Sequence, residues 1–203
     1  MARAVQTTER RTVSYEEFLT ACEGIHAEWV DGHVVRMPPA SQRHQQVRDF
    51  LFTVLQVYVE QRDLGRVISA PFQMKTGAHL AGREPDILFV GTDNLVRLKP
   101  TYLDGPADLV VEVVSPESQQ RDRRDKLAEY EQGGVGEYWI VDPDERHADF
   151  YVLAPSGQYE ARGADARGVY RSQTVPGFWI KATWLWQDPP PKVLSVVRRL
   201  GVV

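Results

Sequence analysis

Several features that mark common classes of protein are missing from this sequence. Cys22 is the only cysteine among 203 residues, so no disulfide can form within the chain and a zinc site built on several cysteines is excluded. This cysteine usage is typical of a reducing compartment, and we expect a cytoplasmic protein. No stretch approaches the roughly 18 uninterrupted apolar residues of a membrane span. The polar start, MARAVQTTERRTVS, predicts no signal peptide there.

The chain also lacks an excess of basic residues. It has 24 lysines and arginines against 28 acidic residues, which gives a formal net charge of -4. This excludes the global positive charge of histone-like proteins, so a nucleic acid must be held by a local basic patch or through metal ions. Hydrophobic residues make up 42% of the chain, which is ordinary for a globular protein and argues against wholesale disorder.

The order of predicted elements indicates a mixed fold. A capping box at Ser14–Glu17 begins a short helix, Asp31-Gly32 predicts a hairpin, and Ser41 caps a longer helix with an apolar stripe. A second, charged helix is predicted from about Ser118 to Gln132. The predicted strands around it are GRVISAPFQMK, PDILFV, ADLVVEVV, EYWIVD, HADFYVLA, GQYEARG and GVYRSQ. We therefore predict an α/β (α+β) fold with a mixed central sheet flanked by helices and additional antiparallel hairpins.

The length favours one domain with short extensions. Residues 1–12 are expected to form a flexible arm, residues 13–188 a single domain, and residues 189–203 a tail behind the stiff triple-proline break. The apolar residues of this tail are interpreted as an exposed oligomer contact: Val196, Val197, Leu200, Val202 and Val203.

Two acidic residues accompany strands that are predicted to be buried. Glu112 lies in the middle of a nearly continuous apolar run, which is typical of a central strand, and an ionised carboxylate there needs a compensating charge. Asp86 begins the preceding strand. If the two strands are neighbours, alternation lets both carboxylates converge on one point, where they would suit Mg²⁺ or Mn²⁺. The alternative is that Glu112 pairs with an arginine such as Arg83 and that Asp86 caps a turn.

The charged helix contributes a further candidate. Lys126 adjoins Leu127 and lies one turn past Asp122, at the border of the predicted buried face. A lysine there can orient an attacking water or neutralise charge that develops on a phosphate. The alternative is that the whole charged run is a solvated helix face, an interpretation favoured for its individual arginines.

Together these residues resemble a known pattern. Pro85-Asp86 followed by Glu112 resembles the PD-(D/E)xK nuclease superfamily, although this motif alone is weak. Four segments resemble, more specifically, the bacterial family of putative restriction endonucleases, a domain of unknown function, over roughly residues 14–185. They are EWVDGHVVRMPPASQRHQ, EPDILFV, DLVVEVVSPES and RDRRDKLAEYEQGGVGEYWIVDP. The resemblance implies a restriction-endonuclease-like core in which Asp86 and Glu112 bind a divalent metal.

The resemblance also implies roles for other residues. The superfamily lysine normally follows the second acidic residue by two positions, where this chain has Val114; the lysine of the family corresponds to Lys126 on the next helix. Glu28 matches an acidic position of the family, which implies that it acts as an extra metal ligand or orients a water molecule. His44 matches its Ser-x-x-His segment and is expected to face the site, although a packing role is equally compatible.

The leading hypothesis is a Mg²⁺- or Mn²⁺-dependent endonuclease acting on nucleic acid, with DNA as the expected substrate. Asp86, Glu112 and the backbone carbonyl of Val113 would bind the metal, and Lys126 would orient the water. Phosphate contacts are expected from Arg121, Arg123 and Arg124. A homodimer is expected, because a two-fold pair suits the cutting of two strands. The alternatives are a non-catalytic homodimeric binding or regulatory module on the same scaffold, and a nuclease that is idle without a partner subunit.

Overall fold

A computed structural model of the protein describes residues 12–115 and 118–202. The predicted N-terminal arm, except for Thr12, and Val203 of the predicted tail lie outside these residues. The α-helices are α1 (Tyr15–Ala21), α2 (Gln42–Gln61), α3 (Lys126–Gly133) and α4 (Val193–Arg199). The strands are β1 (Ala27–Val30), β2 (His33–Arg36), β3 (Gly65–Ser69), β4 (Gln73–Lys75), β5 (Gly82–Arg83), β6 (Ile87–Gly91), β7 (Tyr102–Asp104), β8 (Leu109–Val113), β9 (Glu137–Asp142), β10 (His147–Leu153), β11 (Tyr159–Arg162), β12 (Val169–Arg171) and β13 (Trp179–Lys181).

The strands form one large sheet and two smaller ones. The large sheet has the order β11-β10-β9-β8-β6-β3, in which β8 and β9 are parallel and the other neighbours are antiparallel. A second sheet has the order β2-β1-β5-β4-β7, and β12 pairs with β13. The predicted mixed sheet with flanking helices and additional hairpins is thereby confirmed.

The large sheet is covered on both faces. The apolar stripe of α2 packs on one face, where Leu51 and Leu55 join a core cluster with Val111 and Trp139. The opposite face carries a second cluster of the described residues, which contains Met74, Leu88, Val90, Val110, Val114, Tyr130, Tyr138 and Ile140. All five residues of β8 are buried, as its continuous apolar run predicts for a central strand.

The charged helix forms where it was predicted, but its first part has an unexpected geometry. Residues Arg121–Asp125 form a π-helical turn that continues directly into α3. Such turns insert an extra residue into a helix and are frequent at functional sites. Helix α3 ends at Gly133 and is capped by Gly134, whose φ of +82° is in the left-handed region that glycine adopts without strain.

The segment behind the prolines is not the exposed tail that was predicted. It forms α4, which packs against α2, and Val196, Val197 and Leu200 are buried there. The expectation of an exposed oligomer contact is therefore wrong for these three residues, because their side chains are buried within the chain itself. Among the described residues, no helix has the length and apolarity needed to cross a membrane.

Glu137, the first residue of β9, is a buried carboxylate that hydrogen bonds hold in place. The side chain is fully buried, and its Oε1 accepts hydrogen bonds from Trp139 Nε1 and Tyr170 Oη, both at 2.7 Å. Its Oε2 accepts from Ser172 Oγ at 2.7 Å, the backbone N–H groups of Gln173 at 2.9 Å and Thr174 at 3.0 Å, and Thr174 Oγ1 at 2.9 Å. These neutral donors replace the water that burial removes and connect the β12–β13 sheet to β9.

Replacement of Glu137 by glutamine should lower the free energy of unfolding by about 3 kcal/mol, because the new amide group presents N–H to atoms that themselves donate. Urea unfolding followed by circular dichroism measures the change. A matched control is Glu160→Gln, which removes an exposed carboxylate paired with Arg162 and should cost less than about 1 kcal/mol. Equal losses in the two variants would contradict a structural role for the Glu137 hydrogen bonds.

Candidate active site

The two predicted metal ligands come from neighbouring strands. β6 and β8 are antiparallel neighbours with Ile87 opposite Val111, and this register places Asp86 opposite Glu112 just beyond the paired segment. Side chains opposite each other on one face of a sheet have Cβ atoms about 5 Å apart. Both residues line one cleft of about 760 Å³. The convergence that the strand pattern predicts is therefore present in the structure.

The contacts of Asp86 use one of its carboxylate oxygens. Oδ2 accepts a hydrogen bond from the backbone N–H of Val113 at 2.7 Å, and the same oxygen is 3.1 Å from Nε2 of His44. His44 reaches the cleft because Ser41 caps α2, so the imidazole lies in the first turn of the helix. In a strand the N–H and carbonyl of one residue point to the same side, so the Val113 carbonyl also points towards β6.

Glu112 is held by two groups from α3. Its Oε1 accepts hydrogen bonds from Lys126 Nζ at 2.7 Å and from Tyr130 Oη at 2.9 Å, and the residue is almost fully buried. The pairing with Arg83 that was considered from the sequence does not form. Val114, at the position of the superfamily lysine, is buried in the apolar cluster, and the helix above it brings Lys126 to the carboxylate instead.

Lys126 is surrounded by three carboxylates. Its Nζ is 2.7 Å from Glu112 Oε1, 3.1 Å from Glu28 Oε1 and 3.4 Å from Asp122 Oδ1, and its side chain is only 2% exposed. Glu28 Oε1 and Asp122 Oδ1 are within ion-pair distance but accept no well-directed hydrogen bond from any described residue. The lysine thus neutralises part of a buried negative cluster.

Glu28 lies beneath the cleft and does not line it. Its Oε2 pairs with Arg83 Nη1 at 2.7 Å, and Arg83 in turn makes two 2.7 Å hydrogen bonds to Glu129. Because Glu28 is fully buried and engaged with two cations, its position favours a counter-charge for Lys126 and Arg83 over a direct metal ligand.

The three arginines that were expected to contact phosphate differ in their surroundings. Arg121 lines the cleft, whereas Arg124 is exposed and is not among the lining residues. Arg123 forms ion pairs with Asp149 and Asp142 at the neighbouring strands. The structure therefore brings Arg121 to the cleft but not Arg123 or Arg124.

Several cleft residues are not recognisable from the sequence alone. No sequence motif marks His26, yet its Nδ1 is 2.8 Å from Oε1 of the buried Glu84, and both residues line the cleft. Arg48 lines it as well. For Tyr130 a signal exists, since it lies one turn after Lys126 on the same helix face. The partner of His26 is 58 residues away in the chain, and no local pattern predicts that contact.

The protonation of the cluster follows from an imbalance of charge. Burial acts to raise the pKa of Glu28, but the charges of Lys126 and Arg83 outweigh it and hold the pKa at about 2. Burial raises the pKa of Glu112 to about 8; Lys126 opposes this rise, while Asp122 and Asp86 add to it. Burial would lower the pKa of Lys126, yet its three carboxylates raise it well above the ordinary value. Glu112 is thus the carboxylate that lacks a full counter-charge.

These residues fit a hard divalent cation. Carboxylate and carbonyl oxygens are the ligands that such ions prefer, and a bound cation can replace the proton that Glu112 holds up to its pKa of about 8. The protein contacts of Asp86 and Glu112 use Oδ2 and Oε1, which leaves Oδ1 and Oε2 for an ion. Within residues 12–115 and 118–202, no three acidic or imidazole side chains form a ready-made metal cage, so backbone, water or substrate oxygens would complete the coordination.

The metal-free protein should lose thermal stability as the pH rises. Glu112 has a native pKa of about 8 against an ordinary value of 4.5, so between these values the native state holds a proton that the unfolded chain has released. The resulting stabilisation is complete below the ordinary pKa and disappears as the pH rises through the native one. Scanning calorimetry in a metal chelator, from about pH 5 to about pH 9, measures the slope.

Glu112→Gln cannot titrate at this position and should give a flatter dependence of Tm on pH than the wild type. The exposed Glu160→Gln change serves as the control and should keep the wild-type slope. An unchanged slope in Glu112→Gln would show that the pH dependence originates elsewhere.

Comparison with known proteins identifies relatives of the chain. The family model Uma2, described as "Putative restriction endonuclease", matches residues 15–183, so the resemblance noted from the sequence is confirmed. A solved structure, described as a putative nuclease belonging to DUF820 from Anabaena variabilis, has a TM-score of 0.67 and 18% sequence identity. That alignment covers 86% of this chain and 97% of the other, and at this identity it shows a shared fold. No curated protein matches the chain. Because the family model covers most of the sequence, the chain belongs to the Uma2 family of putative restriction endonucleases.

Proposed function

We propose that the protein is a metal-dependent endonuclease that hydrolyses phosphodiester bonds, with DNA as its substrate. The observation that carries the proposal is the pairing of Asp86 with Glu112 across two neighbouring strands at one open cleft. Each carboxylate is held by the protein through one oxygen. Behind them the Lys126 ammonium group lies among three carboxylates. Membership of the Uma2 family supports the same activity.

The ligands of the ion, Mg²⁺ or Mn²⁺, would be Asp86, Glu112 and the Val113 carbonyl. When bound, such an ion acts as a Lewis acid that lowers the pKa of a water molecule and offsets charge on the phosphate. Asp86 is kept in place by the N–H of Val113 and by His44, so its free oxygen has a defined direction. His44 is in this proposal a supporting residue and not a ligand.

Lys126 supplies positive charge and hydrogen-bond donors next to Glu112. Its neighbouring carboxylates keep the ammonium group protonated, so it can donate to an attacking water or to a phosphate oxygen but cannot accept a proton. Glu28, whose Oε1 is 3.1 Å from Lys126 Nζ, helps to hold the ammonium group in position beneath the cleft. Arg121, at the wall of the cleft, is the arginine best placed for a phosphate contact. A homodimer remains part of the proposal, because two such sites would cut the two strands of a duplex.

Asp86→Asn and Glu112→Gln should each abolish high-affinity Mn²⁺ binding and reduce nicking of supercoiled plasmid by about 100-fold or more, because each removes one negative ligand. Isothermal calorimetry with Mg²⁺ and Mn²⁺ and a plasmid assay on the same preparations measure both effects. Glu160→Gln removes one negative charge on a strand at the far edge of the sheet and should behave like the wild type.

The outcomes separate the functions that were considered. Absence of metal binding in the wild type would overturn the proposal and leave the cluster as a structural feature of a binding module. Metal binding that depends on Asp86 and Glu112 but is accompanied by no cleavage of any nucleic acid would favour the non-catalytic regulatory module or a nuclease that needs a partner subunit.

A further inference from the structure

One face of the charged helix carries three polar residues at intervals of one turn. Asp122, Lys126 and Tyr130 are four residues apart, so they lie along a single face. All three are buried, at 2%, 1% and 1% exposure, and this face contacts the sheet beside Glu112. The proposed nuclease chemistry gives a role to Lys126 but none to Tyr130, whose hydroxyl is nevertheless directed at a proposed metal ligand.

The hydroxyl of Tyr130 is fixed by its surroundings. It donates to Glu112 Oε1 at 2.9 Å, and the ring meets the edge of the Tyr138 ring at a centroid distance of 5.0 Å. Tyr138 in turn donates its hydroxyl to the backbone carbonyl of Asp122 at 3.0 Å, which ties the helix to the sheet. A phenol with an ordinary pKa of about 10 is protonated near neutral pH, so the Tyr130 hydroxyl donates to the Glu112 carboxylate. The Tyr130 hydroxyl is therefore the donor and Glu112 Oε1 the acceptor of this hydrogen bond.

Lys126 alone does not fix the Glu112 carboxylate. Its ammonium group is shared among Glu28, Glu112 and Asp122 at distances between 2.7 and 3.4 Å, so its charge attracts the whole cluster. Tyr130 adds a second donor to the same oxygen, Oε1, and rotation of the carboxylate would break both bonds. A neutral hydroxyl also holds this oxygen without repelling a cation at Oε2, whereas the ammonium group does repel it.

We propose that Tyr130 is a positioning residue that orients the Glu112 carboxylate, so that Oε2 faces the cleft to receive the divalent cation. The inference rests on the proposed function, because it assigns a role towards the same cation. Groups that orient metal ligands in this way change metal affinity by about 10- to 100-fold when they are removed.

Tyr130→Phe removes the hydroxyl and keeps the ring. We expect it to weaken Mn²⁺ binding, measured by calorimetry in the absence of nucleic acid, by about tenfold. The matched control is Tyr159→Phe, which removes a hydroxyl that donates to the Val135 carbonyl at 2.9 Å and does not line the cleft. This control should bind Mn²⁺ as the wild type does, within about twofold. Thermal unfolding of both variants establishes that each retains a cooperative fold.

A second measurement separates positioning from general damage to the structure. Plasmid nicking is measured against Mn²⁺ concentration for the wild type and both variants. For Tyr130→Phe we expect the half-saturating Mn²⁺ concentration to rise by about tenfold, while the rate at saturating Mn²⁺ stays within about threefold of the wild type. A lowered maximal rate with an unchanged half-saturating concentration would overturn the positioning role.

The result for the wild type distinguishes this inference from the proposed function. Wild-type binding that depends on Asp86 and Glu112, together with unchanged affinity in Tyr130→Phe, would overturn the role of Tyr130 and leave the metal site intact. Failure of the wild type to bind Mg²⁺ or Mn²⁺ would overturn both.

Discussion

The ammonium group of Lys126 is the charge on which the arrangement of the candidate site depends. Three carboxylates from separate parts of the chain, Glu28, Asp122 and Glu112, lie within 3.4 Å of it in the interior of the protein. Without this cation they would repel one another in a medium that screens charge poorly. The guanidinium group of Arg83 likewise offsets the negative charge of Glu28 and Glu129, with which it forms ion pairs. Compensation is incomplete at Glu112, beside the open cleft, where burial raises the pKa to about 8.

The sheet gives this cluster its position. β8 is buried on both faces, and Glu112 lies one residue before its end, opposite Asp86, the residue that precedes β6. Helix α2 covers one face and brings His44 to Asp86, while α3 covers the other and brings Lys126 and Tyr130 to Glu112. The two carboxylates line the same cleft, and each is held by a different helix.

The sequence predicts the part of this arrangement that depends on local patterns. The apolar run around Glu112 indicates a buried strand and hence an unusual carboxylate, and alternation predicts that it faces the same way as Asp86. It does not predict Glu28 beneath the cleft, the contact between His26 and Glu84, or the diversion of Arg123 to Asp149, because these depend on packing between distant segments. The burial of α4 was also missed, since its short apolar pattern is the same for a core helix and for an exposed contact.

The order of the ion-pair partners along the chain has a consequence for synthesis. Glu28 belongs to the second sheet near the N-terminus, both cleft carboxylates belong to the middle of the large sheet, and Lys126 follows only with α3. During translation the carboxylates leave the ribosome before the cation that lets them be buried together. The cleft therefore cannot reach its final geometry on a nascent chain that lacks α3, and the candidate site stays incomplete until this helix has been made.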